Sequence, residues 1–317
     1  MKTFTGLIPP ICTPLTSDGD VDQASLRALI DSQVAAGAAG IFVLGSSGEA
    51  IYLTDQARRT VIDVAVEAVN GRIQLLVGAL ESTPSRVIDQ ARRVDGSRVD
   101  GIVVTAPFYA NLSACEVALH FRAIADAVSV PVLAYDIPGN VGRRIDADTL
   151  IELLGDGTIA GLKDSSGSLT EFRIILDALG PERSAAMLTG ADILADLALT
   201  LGADGLIPGL ANIRPDLFIQ LLNAHAAGQT KRVAAYQRAI TALTAIFGAG
   251  QRYGLGRHAS ELGALKHFLH AQGIIKTTTV SAPLTPYPAE GLAELDRIHA
   301  RIEDRLQRDL EETAVLT

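Results

Sequence analysis

The sequence predicts an α/β fold of the (β/α)8 class, a TIM barrel, with a C-terminal helical extension. Eight short apolar runs recur between the start and about residue 213, and segments of helical periodicity lie between them. Strands that alternate with helices and are apolar on both faces imply parallel pairing with right-handed crossovers. The third observation is negative. A doubly wound open sheet of this size usually carries a Gly-rich phosphate turn, and neither GxGxxG nor the P-loop pattern occurs here.

The eight runs in order are GLIPPIC from Gly6, GIFVLG from Gly40, QLLVGAL from Gln74 and GIVVTAP from Gly101. They continue as PVLAYDI from Pro131, IAGLK from Ile159, AAMLTG from Ala185 and DGLIPG from Asp204. Helix starts between them carry capping chemistry. Thr54-Asp55 precedes the second helix, Ser113 the fourth, and Ser168 the sixth with Glu171 three residues on. Gly37, Gly71 and Gly180 stand where helix stops are wanted. From residue 214 the character changes: 214–227, 230–248, 257–272 and 288–308 all read as helices. The expected division is therefore a barrel over 1–228 and a helical extension packed on it over 229–317.

Composition narrows the function. Hydrophobic residues make up 48% of the 317 and charged residues 20%, which supports a large core. Trp is absent, so that core is aliphatic. A net charge of −9 with no basic run excludes a nucleic-acid partner. No leader pattern opens the chain, and no run of about 18 apolar residues crosses it. A cytoplasmic protein with no membrane partner is expected. Cys12 and Cys115 are too few for a disulfide framework and fit no metal motif; both are expected to be reduced and buried.

In such barrels the chemistry sits at the C-terminal ends of the strands. Lys163 ends the sixth run, where burial would lower its pKa and expose a neutral amine of the kind Schiff-base catalysis needs. Tyr135 ends the fifth run, and a phenol beside that amine could pass protons to and from a carbonyl substrate. The GSSGE turn at 45–49 offers the hydroxyls of Ser46 and Ser47 and backbone N–H groups, Gly48 among them, to a carboxylate. An amine and a carboxylate pocket together suit a 2-keto acid. His267 and His270 share a helix face with no carboxylate or third His at ligand spacing, so no metal site is expected. His120 reads as a packed residue, and Arg143 and Arg144 as groups that could face a polar substrate tail.

At these residues the chain resembles the dihydrodipicolinate synthase / N-acetylneuraminate lyase family of class I aldolases. The resemblance rests on GSSGE at 45–49, PFY at 107–109, YDIPGNVG at 135–142, GLKDSSG at 161–167, GADGLIPGLAN at 202–212 and APLTP at 282–286. It covers nearly the whole chain. It implies that Lys163 is the Schiff-base lysine, Tyr135 the proton-transferring phenol, and Ser46 a relay toward Tyr109, which in this family comes from a neighbouring subunit. It further implies that Ser47 and Gly48 hold the pyruvate carboxylate, that the Ile207 carbonyl lies close to the lysine, and that Asn140 and Asp192 face the rest of the substrate. No metal or organic cofactor is implied, and the assembly implied is a homotetramer built as a dimer of dimers.

Departures from the family pattern bear on the substrate. Dihydrodipicolinate synthases usually carry an Arg where this chain has Asn140, and neuraminate lyases carry an acidic residue where it has Ile193 and a Ser near Pro208–Gly209. Cleavage or condensation of a 2-keto-3-deoxy sugar acid fits that gap. Condensation of pyruvate with aspartate semialdehyde, as in a 4-hydroxy-tetrahydrodipicolinate synthase, and hydratase–aldolase chemistry stay open as alternatives.

Overall fold

The computed structural model describes residues 4–94 and 98–315, with side chains as far as Asp304. The outermost residues of the expected division, 1–3 and 316–317, lie outside the described residues. The chain runs β1 (Gly6–Leu7), α1 (Gln23–Ala36), β2 (Gly40–Val43), α2 (Asp55–Val69), β3 (Gln74–Gly78), α3 (Pro84–Arg92), β4 (Gly101–Thr105) and α4 (Ala114–Ala125). It continues through β5 (Val132–Asp136), α5 (Pro138–Val141), α6 (Ala147–Gly155), β6 (Gly161–Asp164), α7 (Leu169–Leu179), β7 (Ala186–Thr189), α8 (Ala195–Leu201), β8 (Gly205–Leu206) and α9 (Pro215–Ala226). The helices α10 (Thr230–Leu243), α11 (Ala245–Gly248), α12 (Arg257–Ala271) and α13 (Ala289–Val315) follow.

All strand pairs are parallel, in the order β1-β8-β7-β6-β5-β4-β3-β2. The ring closes between the ends of that order: the Phe42 N–H donates to Pro9 O at 2.9 Å and the Ile11 N–H to Phe42 O at 3.0 Å. β2, β4 and β5 are buried along their whole length, as strands packed between a barrel interior and a ring of helices must be. The APLTP stretch forms no strand. Among the described residues no helix is long and apolar enough to cross a membrane.

Local chemistry starts and stops the helices as the sequence leads one to expect. Thr54 accepts from the Ala57 N–H, Ser168 from the Glu171 N–H, and Ser113 with Glu116 forms a reciprocal capping box. Each cap stabilises its helix by about 1 kcal/mol. Gly37 ends α1 in the left-handed region, φ 93°, where a β-carbon would be strained.

The ends of the barrel are tied by side-chain amides. Asn212, buried beyond β8, accepts from the Cys12 N–H at 2.9 Å and donates to Pro10 O at 3.0 Å and Gly209 O at 2.9 Å. One amide thus satisfies two buried backbone groups of the β1 side and one partly buried carbonyl beyond β8. Cys12 is buried as expected, its thiol pushed up to about 12 by burial, which leaves it inert. Cys115 departs from the expectation: it sits in the first turn of α4, on the helix's outer side, and is exposed.

Candidate active site

The register of two neighbouring strands creates the centre of the site. β5 and β6 pair so that Tyr135 stands opposite Lys163. Paired residues of adjacent strands point to the same side of a sheet, here the barrel interior. The Lys163 Nζ lies 3.9 Å from the centroid of the Tyr135 ring and 4.7 Å from that of Phe42. Both strand residues are buried, Lys163 at 2% exposure and Tyr135 at 3%. Burial pushes the Lys163 amine below the usual lysine range, against the opposing pull of the Tyr135 phenol and the Asp192 carboxylate. The result is an amine held unprotonated for more of the time than that of a surface lysine.

Gly190, after β7, makes room for that side chain. A β-carbon there would lie 3.2 Å from Lys163 Cε and 3.4 Å from Ile207 O. The lysine stem and the Ile207 carbonyl therefore flank one point.

Over Lys163 opens a cavity of about 490 Å³, within the range of roughly 300–1,000 Å³ of small-molecule sites. The turns after the strands line it: Ser46 and Ser47 after β2, Ile137 to Asn140 after β5, Ser165 to Gly167 after β6, and Asp192 after β7. Asp192 accepts from the Leu210 N–H at 3.0 Å. Burial pushes its carboxyl up to about 6; the backbone N–H groups of Leu210 and Gly209 oppose the rise, and the nearby charge of Glu261 adds to it.

The GSSGE turn is held from behind. Leu44 and Glu49 both take positive φ, 57° and 58°, an uncommon conformation for residues with side chains. Thr13 Oγ1 donates to Gly48 O at 2.7 Å, and Glu49 is buried in an ion pair with Lys266 of α12. Gly48 itself does not line the cavity. A β-carbon on it would meet Leu44 N at 2.9 Å, so its place in the turn is one of close backbone packing.

Asn140 Nδ2 donates to Ser46 Oγ at 3.3 Å and lies 3.0 Å from His258 Nε2. With Nε2 accepting, the ring proton falls on Nδ1, 3.2 Å from the Tyr52 hydroxyl. This chain of polar groups links the β2 turn to α12.

Of the other expected residues, Tyr109 is not brought to the cavity of its own chain. It is fully exposed, at 104%, with φ 76°. Arg143 and Arg144 do not line the cavity either. Arg143 Nη1 donates to Leu112 O, and Arg144 pairs with Asp136 at 3.1 Å and with Glu171. His120 is packed, as expected. His267, with no carboxylate at ligand spacing in the sequence, meets one in the fold: its Nε2 lies 2.6 Å from Asp296 Oδ1 of α13. Sequence reasoning missed the part of the cavity wall that comes from beyond the barrel: Thr244, Phe247, Arg257, His258, Glu261 and Leu265.

Comparison with known proteins supports the fold and identifies relatives of this chain. The sequence profile of the Dihydrodipicolinate synthetase family matches residues 3–301. YagE of Escherichia coli K12, assigned there provisionally as a 2-dehydro-3-deoxy-D-gluconate aldolase, is 32% identical over 240 residues, 75% of this chain and 79% of its own. The 4-hydroxy-tetrahydrodipicolinate synthase of Salinibacter ruber is 31% identical over 222 residues, 70% of this chain and 73% of its own. The crystal structure of YagE in complex with pyruvate superposes with a TM-score of 0.88 at 27% identity, over 95% of this chain and 99% of that one.

Proposed function

The chain belongs to the Dihydrodipicolinate synthetase family, and from that premise we propose that Lys163 is the amine that condenses with its 2-keto acid. The protein is a carbon–carbon lyase of the Schiff-base, class I aldolase kind. The observation that carries the lysine assignment is the position of its Nζ: buried, at the floor of the cavity, and 3.9 Å from the Tyr135 ring.

The steps follow from chemical need. The neutral amine adds to the keto carbon, and the carbinolamine loses water to give an iminium. In cleavage, the hydroxyl on the second carbon from the iminium carbon gives up its proton, and the bond between that carbon and the one adjacent to the iminium carbon breaks. The bonding pair flows to the iminium nitrogen, leaving an enamine and a free aldehyde. Protonation of the enamine carbon and addition of water then release pyruvate and regenerate the amine. Tyr135 moves protons at the carbinolamine and at the substrate oxygen, with Ser46 as its relay, while Ser47 and the β2 turn hold the carboxylate. Lysine supplies the carbonyl activation, so the proposal needs no metal or organic cofactor.

The substrate class we propose is a 2-keto-3-deoxy sugar acid. The similarity to YagE supports it, as does Asn140 at a position where a synthase would grip a second carboxylate with Arg. The similarity to synthases such as that of S. ruber favours a second reading, condensation of pyruvate with aspartate semialdehyde. We assign the chemistry to a barrel over 1–228, with 229–317 as the helical extension, in a cytoplasmic homotetramer. The full exposure of Tyr109 supports a partner subunit's cavity as its destination.

Treating the protein with pyruvate and borohydride should leave one reduced pyruvate on Lys163, located by peptide mass. Labelling elsewhere, or none, overturns the assignment. Release of pyruvate from 2-keto-3-deoxy acids, set against a coupled assay with aspartate semialdehyde, separates the two substrate readings.

A further inference from the structure

We infer that the first two turns of α12 form the subsite for the aldehyde half of the substrate, and that Arg257 and Glu261 there select a neutral, hydroxyl-bearing tail over an anionic one. This rests on the Schiff-base reading above and names the recognition that reading leaves open. The two side chains line the same cavity as Lys163, on the wall facing the β5 turn. Arg257 reaches over that turn: a β-carbon on Gly139 would sit 3.2 Å from Arg257 Nη1.

Donors and acceptors on this wall are mixed. Arg257 Nε donates to Glu261 Oε1 at 2.8 Å, which orients the fork and, among the described residues, leaves its Nη groups without a side-chain partner. Glu261 keeps a second oxygen for an O–H donor. Asn140 stands across from them with its Nδ2 committed to Ser46 and His258 and its carbonyl oxygen available. A hydroxyl both donates and accepts, so successive hydroxyls on one carbon chain can satisfy groups of both kinds.

A second carboxylate is disfavoured at the same place. It would meet the carboxylates of Glu261 and Asp192 against a single guanidinium whose charge Glu261 already balances, although its Nη donors stay open. Glu261 already disfavours charge on Asp192. A third anion in that space meets repulsion without a free counter-ion.

The experiment compares kcat/KM for pyruvate release from three 2-keto acids: a polyhydroxylated monoacid, a short 4-hydroxy acid lacking the further hydroxyls, and a polyhydroxylated diacid. Wild-type protein should prefer the polyhydroxylated monoacid to both others. Arg257→Met and Glu261→Gln should each shrink its advantage over the short acid by at least tenfold, the change falling mainly in KM, and Glu261→Gln should improve the diacid relative to the monoacid. Arg257→Lys, which keeps charge but not the fork, should recover less than half of the lost discrimination. Both positions are solvent-accessible, so the variants are expected to fold; a melting curve within a few degrees of wild type checks this, and Arg257→Lys carries the test if Arg257→Met fails it. Unchanged discrimination in the variants, or a wild-type preference for the diacid, overturns the inference while the pyruvate label on Lys163 still stands. Absence of that label takes down the Schiff-base reading and this subsite with it.

Discussion

Glu49 and Lys266 join the β2 turn to α12 through an ion pair in which neither side chain meets solvent. Lys266 Nζ also donates to Thr279 O at 2.6 Å, and the Ser281 N–H donates to Glu49 Oε2 at 2.6 Å. The turn that presents Ser46 and Ser47 is thus anchored by a charge from outside the barrel. Removing one partner leaves the other charge buried and uncompensated, so Lys266→Met should lower stability by about 3–5 kcal/mol in urea unfolding. Combining it with Glu49→Gln should restore at least half of that loss, because the neutral amide can still accept from Ser281. An equally large loss in the double variant would show that packing, not charge pairing, is what Lys266 contributes.

Gly190 leaves space for the Lys163 side chain. A β-carbon there would lie 2.3 Å from Ser165 Oγ and 3.2 Å from Lys163 Cε. The serine hydroxyl can rotate aside, but the lysine stem has to shift by a few tenths of an ångström in a packed interior. Gly190→Ala is expected to slow imine formation with pyruvate by roughly tenfold or more, since small misplacements of a reacting group are costly. Thermal melting should change far less. A variant labelled by pyruvate and borohydride as fast as wild type would mean the stem moves freely.

Asp192 has a pH signature of two parts. Its carboxyl is raised from 3.8 to about 6, so it gains a proton in the folded protein as pH falls through 6. If the charged form faces the substrate, kcat/KM should fall on that acidic limb, and Asp192→Asn should flatten it. Stability runs the other way. Between about pH 4 and 6 the folded state holds a proton that the unfolded state has lost, so holding this group costs stability increasingly as pH rises. Asp192→Asn should therefore be more stable than wild type at pH 7, by up to about 3 kcal/mol, with the gain fading toward pH 4. The same gain at both pH values would refute the linkage.

His120 acts on stability in the opposite direction. Burial lowers its pKa from 6.5 to about 4, against the opposing pull of the Thr105 backbone. Between pH 6.5 and 4 the unfolded chain takes up a proton that the folded one refuses, so stability declines as the solution is acidified. The full effect is about 3 kcal/mol. His120→Phe, beside the Phe121 ring that already packs edge-on against it, should remove this portion of the acid dependence in urea titrations at pH 7 and pH 4.5. Identical acid dependence in the variant would place the sensitivity elsewhere.

Why some of this was legible in the sequence and some was not has a physical basis. The barrel shows because strands buried on both faces must be apolar throughout, and β2, β4 and β5 are. Lys163 and Tyr135 show because a polar group closing such a run has few structural reasons to be there. The α12 wall does not show. Arg257 and Glu261 are spaced i, i+4, which reads as a solvated helix pair, and the contacts that bring α12 to the rim join residues as far apart as Asn140 and His258. Arg143 and Arg144 misled for a related reason: they follow the right strand, yet turn to carboxyl and carbonyl groups already waiting outside the cavity. Local pattern carries period and strand-end position, and it carries no information about which distant helix covers the mouth.

The long reach of the Glu49 anchor has a temporal side. The Ser281 N–H that meets Glu49 lies 232 positions further along the chain, and the same late stretch reaches back to the start, where Thr277 Oγ1 donates to Leu15 O. A ribosome delivers the acidic turn long before it delivers the lysine and the strap that neutralise it. Throughout that interval the glutamate has water for company and no reason to turn inward. A half-made chain thus lacks the partners that neutralise Glu49, and the β2 turn gains its anchor only with the closing portion of translation.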